Sequence, residues 1–171
     1  MVSKGLAAAL AGIALAVGGY AGYTVHSEGK ADASVTKQAA KTVPLTVTST
    51  NGAHYFTVEI AKTAAEQERG LMFRTNIPKS GGMIFAPYPP DGGPPREATF
   101  WMKNTPSALD ILFIRADGTI AHIADNATPY SEAKIPSGEP IAAVLEINGG
   151  VAAELGIAEG DTVTWPGHGG T

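Results

Sequence analysis

Ile141-Ala-Ala-Val-Leu-Glu-Ile147 is the stretch on which the fold turns. Side chains of an extended chain alternate between two faces, and here both faces are apolar except at Glu146. Such a segment reads as a central strand. Working outward, Leu109-Asp-Ile-Leu-Phe-Ile114 has the same quality, broken only by Asp110 on the face of Leu112 and Ile114. Asp117-Gly118 closes a hairpin from it into Thr119-Ile-Ala-His-Ile123. His54 to Ala61 alternates with Phe56, Val58 and Ile60 inward; Val43 to Ser49 sets Leu45 and Val47 against Thr46 and Thr48, with Pro44 suiting an edge. Gly82-Met-Ile-Phe85, Ala98-Thr-Phe-Trp-Met102 and Asp161-Thr-Val-Thr-Trp165 complete the strands. Thr63-Ala-Ala-Glu66 is a capping box opening a short helix that Gly70 can end, and Gly150 to Leu155 before Gly156 is a second. Pro87 to Pro95, laden with Pro and Gly, is a surface loop. The predicted fold is mainly β: a compact β-sandwich or partly closed barrel of about seven to eight short strands with two short helices.

The totals agree. With 16% charged residues, 21 Gly and 12 Pro, the chain suits short strands and many turns better than a helical bundle. Its 171 residues make one domain rather than two. The absence of cysteine excludes disulfides, thiolate nucleophiles and cysteine-ligated metals. A net charge of −4 without any run of Lys and Arg argues against a nucleic-acid partner.

The N-terminus carries an address. Lys4 precedes an apolar stretch from Gly5 to Val25, and nothing charged follows before Glu28. Positive charge followed by an apolar core is the export pattern. Residues 1–25 are therefore a signal peptide or an N-terminal membrane anchor. Ala31-Asp32-Ala33 before Ser34 offers a small-x-small cleavage site; uncleaved, the segment is about long enough to span a bilayer. Residues 26–42 are a flexible tether, 43–165 the domain, and 166–171 a disordered tail. The expected location is the periplasm or the periplasmic face of the inner membrane, with the membrane as partner if the segment stays.

The familiar catalytic signatures are missing: no G-x-S-x-G elbow, no H-E-x-x-H, no phosphate loop and no dinucleotide fingerprint. His26, His54, His122 and His168 are scattered, without a second ligand at metal spacing. No catalytic residue, metal or cofactor is assigned. What stands out is Asp110 and Glu146 inside apolar strands, where a carboxylate must find a partner or take up a proton. Arg74, Lys103 and Asn104 are the available donors, and Trp101 offers a flat face for stacking. Arg74, Trp101, Lys103, Asn104, Asp110 and Glu146 form the candidate ligand site if they converge at one sheet end; the competing reading is that they brace loops against the sheet.

Glu66-Gln-Glu-Arg-Gly-Leu-Met-Phe-Arg74, Gly82-Met-Ile-Phe85, Phe100-Trp-Met-Lys-Asn-Thr105, Leu109-Asp110, Asp117-Gly118, Val144-Leu-Glu146 and Gly156-Ile-Ala-Glu-Gly-Asp161 follow one another in this order. That succession resembles the uncharacterised family called domain of unknown function 192, over about Leu45 to Val163. The resemblance implies a compact, mainly β fold behind a signal peptide or anchor, and no established activity. Its motif positions map to Gly70, Leu71, Met72, Arg74, Trp101, Met102, Asn104, Thr105, Asp110 and Glu146. The insert at Pro87 to Pro95 and the Pro106-Ser-Ala run depart from the family pattern.

The functional expectation is a non-catalytic envelope module that binds a glycan, peptide or other small ligand. One alternative is a carboxylate-dependent hydrolase or lyase using Asp110 and Glu146 as an acid–base pair. Another is a purely structural or protein-interaction domain.

Overall fold

The computed structural model describes residues 41–168. The export segment over 1–25, the tether over 26–42 up to residue 40, and the tail from 169 on lie outside the described residues. Two hairpin strands, β1 (Thr42–Ser49) and β2 (Gly52–Ala61), lead to α1 (Ala64–Arg69), and β3 (Met83–Phe85), β4 (Thr99–Phe100) and β5 (Leu109–Ile114) follow. The chain goes on through β6 (Ile120–Ala127), β7 (Ile135–Pro136), β8 (Ala143–Asn148), α2 (Val151–Leu155) and β9 (Thr162–Thr164). Seven strands make one curled sheet in the order β6-β5-β8-β3-β2-β1-β9, while β4 and β7 pair by themselves. All neighbours run antiparallel except β2 and β3. The two rims approach each other: Ile120 N–H donates to Asp161 O and Val163 N–H to Gly118 O, both at 2.8 Å. The sheet is thus a half-barrel tied at one place.

The central position read for residues 141–147 holds, since β8 lies between β5 and β3. Its inward face packs Leu145 and Ile147 with Leu45, Val58, Leu112 and Val163 inside the half-barrel. Its outward face packs Val144 with Phe85, Ile111 and Phe113. The chain over 86–108 and 127–142 supplies the cover for that second face, placing Ala98, Met102 and Ile141 on it. Little of this cover is regular. The strand read over Ala98–Met102 shrinks to two residues, because the backbone turns to bury Met102, whose N–H bonds Ser131 O at 2.8 Å. Nor is Pro87–Pro95 wholly a surface loop. Pro89 is buried, and Tyr88 donates its N–H to Ala142 O at 2.8 Å. Of the expected tail, residues 166–168 turn back and His168 stacks on Trp165 with ring centroids 4.0 Å apart.

Register decides where the two strand carboxyls go. Ile111 stands opposite Glu146 and Asp110 opposite Ile147. Because faces alternate along each strand, the two side chains project from opposite sides of the sheet. Asp110, with 0% of its surface exposed, accepts backbone N–H groups from Asn126, Gly150 and Ala152, each at 2.8 Å. Helix α2 has no side-chain cap of its own, its N-cap being Gly150. Asp110 supplies that cap from the neighbouring strand and satisfies donors that a helix start leaves open. The expected convergence of Asp110 with Glu146 and Trp101 is therefore corrected, as is the acid–base pair built on it.

Replacing Asp110 by Ala strands three N–H groups without their acceptor. The expected cost is roughly 3 kcal/mol or more, a fall of about 10 °C in melting temperature for a domain of this size. Asp110→Asn keeps the shape but exchanges one acceptor for a donor, and falls between the two. Thermal unfolding followed by circular dichroism decides, and an Asp110→Ala loss under about 1 kcal/mol would contradict the capping role.

Candidate functional site

Two turns hold the site open on the covered face of the sheet. The first follows α1, whose start shows the expected capping box: Glu66 N–H donates to Thr63 Oγ1 at 3.3 Å and Thr63 N–H to Glu66 Oε2 at 2.8 Å. The Thr63 N–H, joined by the Lys62 N–H at 2.9 Å, keeps the Glu66 carboxyl below its ordinary range. Gly70 ends the helix at φ 46°, where an added Cβ would lie 3.2 Å from the Phe85 ring. Leu71 is then buried. The second turn is Trp101 to Thr105, with Met102 buried and Asn104 at φ 55°. Phe73 N–H donates to Asn104 O at 2.8 Å, which joins the two turns. Trp101 is left 46% exposed with Lys103 Nζ 5.1 Å from its ring centroid, a cation–π arrangement.

Between these turns and the sheet lies a cavity of about 290 Å³. The sheet contributes Phe85 and Glu146; α1 and its turn contribute Gln67 to Met72; Thr99 to Trp101, Lys103, Thr105 and Tyr88 complete the wall. Phe100 packs edge-on to Phe85 at 5.3 Å, so the wall is largely aromatic. Among the described residues, two buried side-chain polar atoms have no hydrogen-bond partner, Gln67 Oε1 and Glu146 Oε2. Both residues line this cavity. Gln67 is fixed there because its Nε2 donates to Ala61 O at 3.1 Å and to Pro87 O at 2.8 Å. Glu146 is fixed by β8, flanked across the strands by Met83 and Ile111. It is 5% exposed, and burial among apolar neighbours pushes its carboxyl up to about 8. Burial also raises the Tyr88 hydroxyl, against an opposing pull from Arg96. Arg69 and Lys103 line the same cavity, and neither forms an ion pair among the described residues.

Of the six residues singled out in the sequence, Trp101, Lys103 and Glu146 line the cavity. Asn104 lines an adjoining hollow with Trp101, Lys103 and Phe73. Arg74 is elsewhere: it pairs in bidentate fashion with Glu59 of β2, Nη2 to Oε2 at 2.8 Å, and clamps the turn after α1 to the sheet. Asp110 caps α2 on the far side. For these two the bracing reading describes what they touch. Gln67, Arg69, Tyr88 and Phe100 were missed. Gln67 and Arg69 sit on a helix with no buried residue and resemble any solvent-facing helix side chain. Tyr88 is hidden in a Pro/Gly loop. Among the described residues no cluster of three His, Asp or Glu side chains could hold a metal ion.

The profile of DUF192, described as "Uncharacterized ACR", matches residues 45–165. A crystal structure of a protein of unknown function from Novosphingobium aromaticivorans is similar, with 50% identity and a TM-score of 0.70. The match covers 76% of this chain and 89% of that one. A second, from Sinorhizobium meliloti and provisionally described as a transcription regulator, has 40% identity and a TM-score of 0.68 over 74% of this chain and 95% of that one. No curated protein matches.

The buried carboxyl has a consequence for stability. The folded state keeps the Glu146 proton up to about pH 8, whereas the unfolded chain releases it near the ordinary value of 4.5. Stability therefore falls as pH rises between those two values, on the order of 5 kcal/mol in total, and levels off above them. Glu146→Gln removes this slope. Urea unfolding of both proteins at several pH values checks it; parallel pH profiles would sink the assignment.

Proposed function

The chain belongs to the uncharacterised DUF192 family, and from that premise we propose that it is a non-catalytic binding module that takes a small ligand over Glu146. One observation carries the reading: the two residues among those described whose buried side-chain oxygens lack a partner, Gln67 and Glu146, line the same cavity. A buried polar atom without a partner costs about 1–3 kcal/mol, so it calls for a donor from outside the chain. A bound ligand supplies one. The aromatic wall and the half-exposed Trp101 suit the apolar body of such a molecule. At about 290 Å³ the cavity stands at the lower end of ligand sites, which run roughly 300–1,000 Å³. It suits a single small molecule or the end of a glycan or peptide, not a polymer laid along a groove.

The enzymatic alternative loses its second carboxyl, since Asp110 is capping α2 on the opposite face. The stretch from Lys4 to Val25 supports an exported domain working in the cell envelope, tethered if that stretch is retained. The regulator description of the Sinorhizobium protein is not carried over, because a net charge of −4 without a basic run offers little to a phosphate backbone.

Trp101 is also the probe. The other tryptophan, Trp165, is buried and stacked on His168. Titrating the full-length chain with N-acetylated amino sugars, muropeptides and short peptides is expected to give a saturable change in emission. That change should vanish in Trp101→Phe and need about tenfold more ligand in Glu146→Ala. No saturation with any of them, or an equal response from both variants, would refute the proposal.

A further inference from the structure

The polarity of the cavity says more about its occupant. At the rim stand Arg69, Lys103 and Glu68, all lining the cavity, so two positive charges face one negative and leave one net positive charge. Arg69 and Lys103 carry no ion-pair partner among the described residues. In the interior stands Glu146, nine-tenths buried, with Oε2 unpartnered, and beside the same space the unpartnered Gln67 Oε1. Between rim and interior the wall is aromatic, with Phe85, Phe100 and Trp101. A cationic ligand would have to pass the rim cations, and an anionic group driven to the interior would leave those cations behind and meet the bare Gln67 Oε1. A molecule with one anionic end and one hydroxylated end meets neither obstacle.

Resting on the binding reading above, we propose that the cavity selects a small organic monoanion. Its carboxylate is held by Arg69 and Lys103, its flat apolar body lies against Phe100 and Trp101, and its hydroxyl reaches the Glu146 and Gln67 end. The protonated Glu146 carboxyl both donates and accepts, which a hydroxyl answers in kind.

Four probes separate these contributions by isothermal titration calorimetry on the full-length chain. 4-Hydroxyphenylacetate carries carboxylate, ring and hydroxyl; phenylacetate lacks the hydroxyl; 4-methylphenol lacks the carboxylate; tyramine replaces it by an ammonium. 4-Hydroxyphenylacetate is expected to bind at least about tenfold more tightly than phenylacetate, whose approach leaves the buried acceptors unpaired. It should exceed 4-methylphenol by a similar factor and tyramine by more. In the Arg69→Gln/Lys103→Gln double variant the advantage over 4-methylphenol should disappear while the melting temperature changes little, because neither side chain is fully buried or ion-paired among the described residues. The advantage over phenylacetate should survive in that variant and be lost in Glu146→Ala. Equal binding of 4-methylphenol, tyramine and 4-hydroxyphenylacetate would overturn the monoanion assignment and leave the small-ligand cavity standing. Failure of all four overturns it too, and the binding module falls with it only if the sugar and peptide titrations are also silent.

Discussion

Burial of the central strands on both faces is the constraint from which the rest of the structure follows. Every residue of β5 is buried, and β8 is buried through Ile147. One face of these strands is served by the curl of the sheet, which gathers β1, β2 and β9 around a shared interior. The other face cannot be served by the sheet itself. It is covered by two long crossings whose only strands, β4 and β7, have two residues each. Irregular cover rich in Pro and Gly does not close over a pleated surface as evenly as a second sheet does. The cavity over Glu146 is where that cover stays open.

Asp110 and Glu146 show how much position decides for the same chemistry. They occupy adjacent strands and stand one register step apart. Asp110 meets three backbone N–H groups and becomes the piece that fastens α2 and the end of β6 to the sheet. Glu146 meets methyl and methylene groups, keeps one oxygen without a partner, and holds its proton to about pH 8. A fully satisfied buried carboxyl belongs to folding; an unsatisfied one facing a cavity is a cost that folding alone does not explain.

The family motifs acquire physical roles once the turns are visible. Gly70 is needed where α1 ends against the Phe85 ring, and Asn104 takes the left-handed turn whose carbonyl receives Phe73 N–H. Leu71 and Met102 are buried anchors, and Arg74 ties the first turn to Glu59. These contacts hold Trp101, Lys103 and Arg69 in place around the opening before anything arrives. A site whose walls are already ordered has less entropy to lose on binding.

The amino-acid pattern alone determined most of the strands, the two short helices with the capping box of α1, and the central place of residues 141–147. Alternation, turn chemistry and capping are local and leave local marks. It also flagged Asp110 and Glu146 as polar intruders, and Trp101 with Lys103 as candidate ligand contacts. Only the tertiary structure decided which intruder lacks a partner, because that depends on strand register and on loops distant in sequence. Gln67 and Arg69 are silent in a one-dimensional reading: on an exposed helix nothing distinguishes a side chain facing water from one facing a cavity roofed by residues 99–105. Arg74 was misplaced for the same reason, since its partner Glu59 looks in the sequence like any polar residue of an alternating strand.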